Sequence, residues 1–187
     1  MNYNEIITHV DIYGLDNSSA SSLINDATAF YKGIIVQFDL TLSLRSWIEI
    51  QKWHDFNFVS SCSQMHRITR FNLDDSYLPY TDKNIVNKVK EMVAEYNNRE
   101  SYLKENQVIL TEEEISNIVR DQKRRYLEIL YSNPIGFVLT ARMTTTYAQL
   151  REMYTELNKI SNPELIAFCD YVNSLSVCLM REPSQNA

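Results

Sequence analysis

Apolar and polar positions follow two rhythms along this chain. Ile6, Ile7, Val10 and Ile12 precede Gly14 and predict a strand. Asp16-Asn17-Ser18 offers N-caps for a helix carrying Leu23, Ile24, Ala27 and Phe30, with Gly33 where a glycine ends a helix. The run Ile34-Ile35-Val36-Gln37-Phe38-Asp39-Leu40 is short and β-branched, which predicts a second strand. A helix is expected from Ser43, with Leu44, Trp47, Ile48 and Gln51 on one face.

Residues 56–81 lose any clean period and read as an extended segment followed by a loop ending at Pro79. Helical spacing resumes at Asp82 through Ile85, Val86, Val89, Met92, Val93 and Tyr96. Thr111-Glu112-Glu113-Glu114 is a capping box, in which hydroxyl and carboxylate each satisfy an otherwise free backbone N–H. It opens a helix with Ile115, Val119, Tyr126, Ile129 and Leu130 along one stripe, stopped by Asn133-Pro134. Beyond Gly136 a short apolar piece leads to a helix expected from Thr144 to Lys159. Asn162-Pro163-Glu164 reads as an N-cap, a proline at the first helical position and an acid favoured by the helix dipole. That last helix carries Leu165, Phe168, Tyr171, Val172 and Leu175.

Three glycines and four prolines are too few for a many-turned β-protein, so the predicted class is α+β, mostly helical with a small antiparallel sheet. The 187 residues fit one domain, expected over 1–179, with a frayed polar tail at 180–187. At 44% hydrophobic the chain can bury a sizeable core. Eighteen Lys and Arg against 24 Asp and Glu leave a net charge of −6, which argues against a general nucleic-acid coat. No apolar run approaches the roughly 20 residues that span a bilayer, and nothing at the start reads as a signal peptide. Cys62, Cys169 and Cys178 are odd in number and lack CxxC spacing, so no disulfide framework is expected, and the compartment is read as cytoplasm.

The chemistry is sparse. Isolated glycines build neither a P-loop nor a dinucleotide fingerprint. His9, His54 and His66 are scattered without metal-ligand spacing, so no metal site is expected. Arg120, Lys123, Arg124 and Arg125 could meet an anion, but with Asp121 and Glu128 nearby they read better as a solvated face with local ion pairs. Tyr126, Tyr154 and Tyr171 fall at spacings of the core or its rim. The densest polar stretch runs from Gln51 to Arg67. Its Ser60, Ser61, Ser63, His66 and Arg67 would suit an oxyanion, or else form a hydroxyl-rich turn that satisfies its own backbone.

From Ser46 to His66 the sequence resembles the signature segment of flavin-dependent thymidylate synthases. That signature has Arg-His-Arg near a helix end, then an Asn, a Ser three residues later and an Arg-Tyr pair. Lys52-Trp53-His54 stands in the triplet's place, Ser60 in the Asn's, Ser63 in the Ser's and Met65-His66 in the pair's, with one extra residue after the triplet. A rival register sets Met65-His66-Arg67 on the triplet and Asn72 on the Asn, leaving Ser76 one place late. Thr144-Thr145-Thr146-Tyr147, Leu150, Met153, Tyr154, Pro163-Glu164-Leu165 and Phe168 resemble the closing helices of that fold. Both regions are also similar to short proteins of phages and prophages of Gram-positive bacteria.

In those synthases arginines grip the flavin and the nucleotide phosphate, and a serine assists at the pyrimidine. Here the triplet holds no arginine, the Arg-Tyr pair is Met65-His66, and Leu157-Asn158 stand where cationic residues are expected. Arginine's planar fork matches phosphate in a way that Lys or His cannot copy. Losing most such clamps, at about 1.5–3 kcal/mol per charge-assisted bond, disfavours catalysis.

The resemblance therefore implies a degenerate, non-catalytic relative of phage type, without cofactor, that binds a protein or nucleoprotein partner. An anti-defence or anti-CRISPR-type inhibitor is one such role, since an acidic surface can dock on a basic channel. The alternative is a flavin-dependent pyrimidine nucleotide methylase or nucleotide binder using FAD, with Ser63 at the base and His54, His66 and Arg67 on phosphate. Either reading admits a homo-oligomer.

Overall fold

A computed structural model describes residues 5–14, 31–61 and 67–175 of the chain. Its strands are β1 (Ile7–Tyr13), β2 (Ile35–Ser43), β3 (Phe56–Ser61) and β4 (Val138–Thr146). Its helices are α1 (Leu44–Ile50), α2 (Lys83–Asn106), α3 (Glu112–Ser132), α4 (Tyr147–Leu157) and α5 (Pro163–Ser174), with a 3-10 turn at Ile68–Arg70. The class is α+β, mostly helical with a small antiparallel sheet, as the sequence predicts. Two compact units divide the chain: residues 1–61 with 140–187, and residues 62–139.

In the first unit the sheet order is β1-β2-β4-β3. β1 pairs antiparallel with β2, and β3 with β4. Thr41 and Thr140 share a hydroxyl hydrogen bond at 2.7 Å while Tyr147 N–H donates to Ile34 at 2.9 Å, so β2 and β4 also run in opposite directions. Period two sorts the side chains. Val36, Phe38, Leu40 and Leu42 of β2 lie on the buried face with Ala141 and Met143 of β4. Phe38, Phe56 and Phe168 form a ring cluster with centroids 5.9–6.4 Å apart, which seats α5 against that face.

The opposite face is polar. The Arg142 guanidinium donates to Asp11, Asp39 and the His9 carbonyl, and His9 Nδ1 lies 2.9 Å from Asp39. The β1–β2 register shifts between Thr8 and Asp11, where His9 has φ of +49°. This bulge roughens an edge strand, which discourages pairing with a further chain. Gly14, at φ +85°, ends β1, and any Cβ there would collide with the Gly33 carbonyl.

The second unit is built on an antiparallel helical hairpin. Asp82 caps α2 by accepting from Asn84 N–H at 2.7 Å and Ile85 N–H at 3.3 Å. The capping box forms: Glu114 N–H donates to the Thr111 hydroxyl, and Thr111 N–H donates to the Glu114 carboxylate. Tyr96 and Tyr126 meet with ring centroids 5.6 Å apart, and Asp121 binds Arg99, Arg124 and Arg125. Phe137 is fully buried between the edges of Phe71 and Tyr77.

Two expectations need correction. The buried face of α1 is Ser46, Trp47 and Ile50, whereas Ile48 is half exposed and Gln51 faces solvent. Polar contacts of Ser43 and Ser46 set the rotation of this short helix. Thr144, Thr145 and Thr146 end strand β4 rather than open a helix, because β-branched threonines fit a pleated sheet. Thr146 instead caps α4, accepting from Gln149 N–H at 3.1 Å. The helix expected to begin near Asp16 falls outside the described residues except at 31–33, which are helical.

Candidate functional site

His54 is exposed in the turn between α1 and β3, in the first unit. Arg67 is exposed at the start of the 3-10 turn, in the second unit. Ser63 and His66 lie outside the described residues, as do Cys62, Met65, Cys178 and the tail at 180–187. Among the described residues no group of His, Cys, Asp and Glu is placed to hold a metal. Cys169 is buried, and that burial pushes its thiol up to about 11, so it stays protonated.

Strand pairing brings together two regions that the sequence analysis singled out. Phe56 lies opposite Thr145 and Asn57 opposite Thr144, so the stretch after α1 runs beside the threonines before α4. At that end of the sheet is a cleft of about 360 Å³. Asn57, Thr144, Thr146 and Gln149 supply its hydrogen-bonding groups. Its charges are the Lys32 ammonium against the Asp55 and Glu152 carboxylates. One cation facing two anions is a poor seat for phosphate, whose own charge meets net repulsion there.

Elsewhere in the first unit, a buried carboxylate has a structural place. Glu164 accepts from Ser43 N–H at 2.7 Å and from the hydroxyls of Ser43 and Ser46 at 2.5 and 2.6 Å. Asn162 donates to the Ser46 hydroxyl at 3.0 Å and caps α5. Glu164, expected as an acid favoured by the helix dipole, is also the bolt between α5 and the β2–α1 junction.

The basic cluster behaves as the sequence analysis expects. Arg124 pairs with Asp121 and Glu128, Arg125 with Asp121 and Glu95, and Arg120 donates to Asn117. Tyr126, Tyr154 and Tyr171 are half buried at the rim.

Absent from the sequence-based expectations is the tip of the α2–α3 hairpin. Ile109 and Leu110 N–H both donate to the Asn106 carbonyl, which closes a tight turn. This turn leaves Val108 97% and Ile109 77% exposed. Glu105, Glu112, Glu113 and Glu114 surround them in sequence, and residues 105–114 hold no Lys or Arg. Hydrogen bonds from Thr111 hold the Glu114 carboxyl below its usual range, so it is fully ionised near neutral pH. The signal was present as an apolar pair between glutamates, at a junction where helical spacing lapses.

No protein-family profile and no curated protein matches the sequence. Among solved structures, the chain is similar to the flavin-dependent thymidylate synthase ThyX from Helicobacter pylori complexed with FAD and dUMP. That match has 16% identity and a TM-score of 0.42, covering 79% of this chain and 69% of the synthase chain. A second structure of the Helicobacter pylori ThyX with FAD and dUMP matches at 10% identity and a TM-score of 0.41, over 78% and 76% of the two chains. A likeness at this level is silent on chemistry. Among the described residues no helix is long and apolar enough to cross a membrane.

Proposed function

We propose that this protein works by binding a macromolecular partner, a protein or nucleoprotein with a basic working surface, and that the hairpin tip makes the contact. The observation that carries this reading is the exposed Val108–Ile109 pair set among four glutamates on a hydrogen-bonded turn. A fixed turn loses little entropy on docking, and two aliphatic side chains fill a small pocket. The carboxylates steer the tip toward cationic surface and raise the association rate. A net charge of −6 adds to that steering. A basic channel that holds nucleic acid has this complementary chemistry, and occupying it would inhibit the enzyme that owns it. A degenerate synthase-like scaffold of phage type, serving as an anti-defence inhibitor, fits this reading.

The cleft beside Asn57 supports the non-catalytic side of the proposal. A flavin or nucleotide phosphate would meet Lys32 opposed by Asp55 and Glu152. The nucleotide-binding alternative needs a cationic grip that this cleft lacks among its described residues.

The test uses purified protein against an immobilised nuclease whose nucleic-acid channel is basic. Association should weaken as salt rises, compete with the nuclease's own nucleic acid, and disappear in Val108→Ser/Ile109→Ser. Association that ignores those changes, or none at all at low salt, would count against the tip.

A further inference from the structure

Helix α3 carries two stripes at the alternating three- and four-residue spacing of helix-packing seams. One of them, Ile115, Ile118, Gln122, Arg125 and Ile129, is turned to α2. Along it Gln122 donates to the Tyr96 carbonyl at 3.1 Å, Arg125 pairs with Glu95, and Ile129 is buried. The other, Glu112, Ser116, Val119, Lys123, Tyr126 and Leu130, has the same spacing and lies open. Val119 is 37% exposed and Leu127, beside the stripe, 50%, while Glu112, Ser116 and Lys123 face solvent. Tyr126 and Leu130 are half-buried along its edge.

The charges on this open stripe are unpaired as well. Glu114 is engaged by the capping box, and Arg124 and Arg125 by Asp121. Glu112 and Lys123 form no ion pair among the described residues. An acid therefore opens the stripe and a cation follows eleven residues on. A stripe charged in this way is complementary to itself read backwards. Laid antiparallel, with Lys123 of one copy beside Glu112 of a second, it sets Tyr126 and Leu127 opposite Ile109 and Val108. Val119 then meets Ser116, whose small side chain leaves room for it. A two-fold axis repeats every pair, so both ends of the contact close together. Parallel pairing would instead set Glu112 on Glu112 and Lys123 on Lys123, and like charges repel.

We propose that α3 is a self-association surface whose occupant is a second copy of this chain, packed antiparallel across the open stripe. Apolar contacts from Val119, Tyr126 and Leu127 hold the pair. The Lys123–Glu112 contacts, exposed and weak singly, fix its direction and register. This goes beyond docking on a foreign partner: the pair covers Val108 and Ile109, so it withholds the tip until the two copies part.

The test is sedimentation equilibrium of the whole chain over rising concentration. The mass should double, and Leu127→Asp should halve it again. Lys123→Glu should weaken the pair about tenfold or more, because symmetry makes each substitution act twice, and so should Glu112→Lys alone. The two together restore opposite charges and should return the affinity to within about threefold of the unsubstituted chain. All three positions face solvent, so circular dichroism should show the helices intact in every variant. Association with the nuclease through the tip should survive Lys123→Glu, which separates loss of the pair from loss of partner docking. A chain whose mass does not rise up to about 1 mM overturns the proposal. So does a pair indifferent to Leu127→Asp, or one weakened by each charge reversal and not restored by their combination.

Discussion

Ser46 and Glu164 stand 118 positions apart in sequence and meet inside the first unit, hydroxyl donating to carboxylate over 2.6 Å. No cation neutralises Glu164 among the described residues. Its charge is met by three donors from Ser43 and Ser46 and by the first turn of α5, where the helix dipole favours an anion. Leucine there would strand two serine hydroxyls and a backbone N–H without their acceptor. Glu164→Leu should therefore cost about 3 kcal/mol or more, and Glu164→Gln, which keeps one acceptor oxygen, about 1–2 kcal/mol. Urea unfolding checks both, and midpoints equal to that of the unsubstituted protein would show that the network adds nothing.

Asp121 gives the helical hairpin a pH dependence of known sign. Hydrogen bonds from Arg125 and Arg124 lower its carboxyl from 3.8 to about 2. A depressed carboxyl contributes stability that is fully present above its unfolded value and is lost as pH falls through the folded one. The loss should thus fall in the window from 3.8 down to about 2. Helicity followed by circular dichroism should decline over that window, and Asp121→Asn should flatten that part of the curve. An unchanged acid limb in the variant would remove Asp121 from the account.

Gly136 sits where a side chain has no room. A Cβ there would collide with the Thr81 hydroxyl, whose neighbour Leu78 is bonded through its N–H to the Gly136 carbonyl at 3.0 Å. Gly136→Ala should cost about 1–3 kcal/mol by overpacking. Removing the obstructing hydroxyl with Thr81→Ala should recover part of that loss, which a double-mutant cycle reads directly. Additive costs would mean that the two positions do not compete for space.

His9 holds φ of +49° at the bulge of β1. The left-handed region costs an L-residue roughly 1–2 kcal/mol, which glycine avoids. Its ring contact with Asp39 involves a side chain that is 78% exposed and so contributes little. His9→Gly should raise the melting temperature slightly or leave it level, while a marked fall would show the ring to be structural.

The fold was legible where local chemistry decides conformation. Asp82, Thr111 and Asn162 each cap the helix that their spacing announces. The threonines before α4 misled because hydrophobic period cannot separate a strand end from a helix start. The rotation of α1 was hidden for a different reason. It depends on Glu164, a partner distant in sequence, and no local window contains both residues. Of the two stretches that carry the resemblance, β3–β4 pairing sets Asn57 opposite Thr144, while His54 and Arg67 fall in separate units. The tip was missed because an apolar pair in a short turn has no period to detect.

The claim that this chain docks on a partner instead of handling a phosphorylated cofactor has a direct check. Purified protein is mixed with FAD and dUMP, desalted, and its visible absorption recorded in the flavin band. The account expects a flat spectrum, unchanged in Lys32→Ala, because the cleft sets two carboxylates against one ammonium. A retained flavin band that falls away in Lys32→Ala would contradict it and return the protein to nucleotide chemistry.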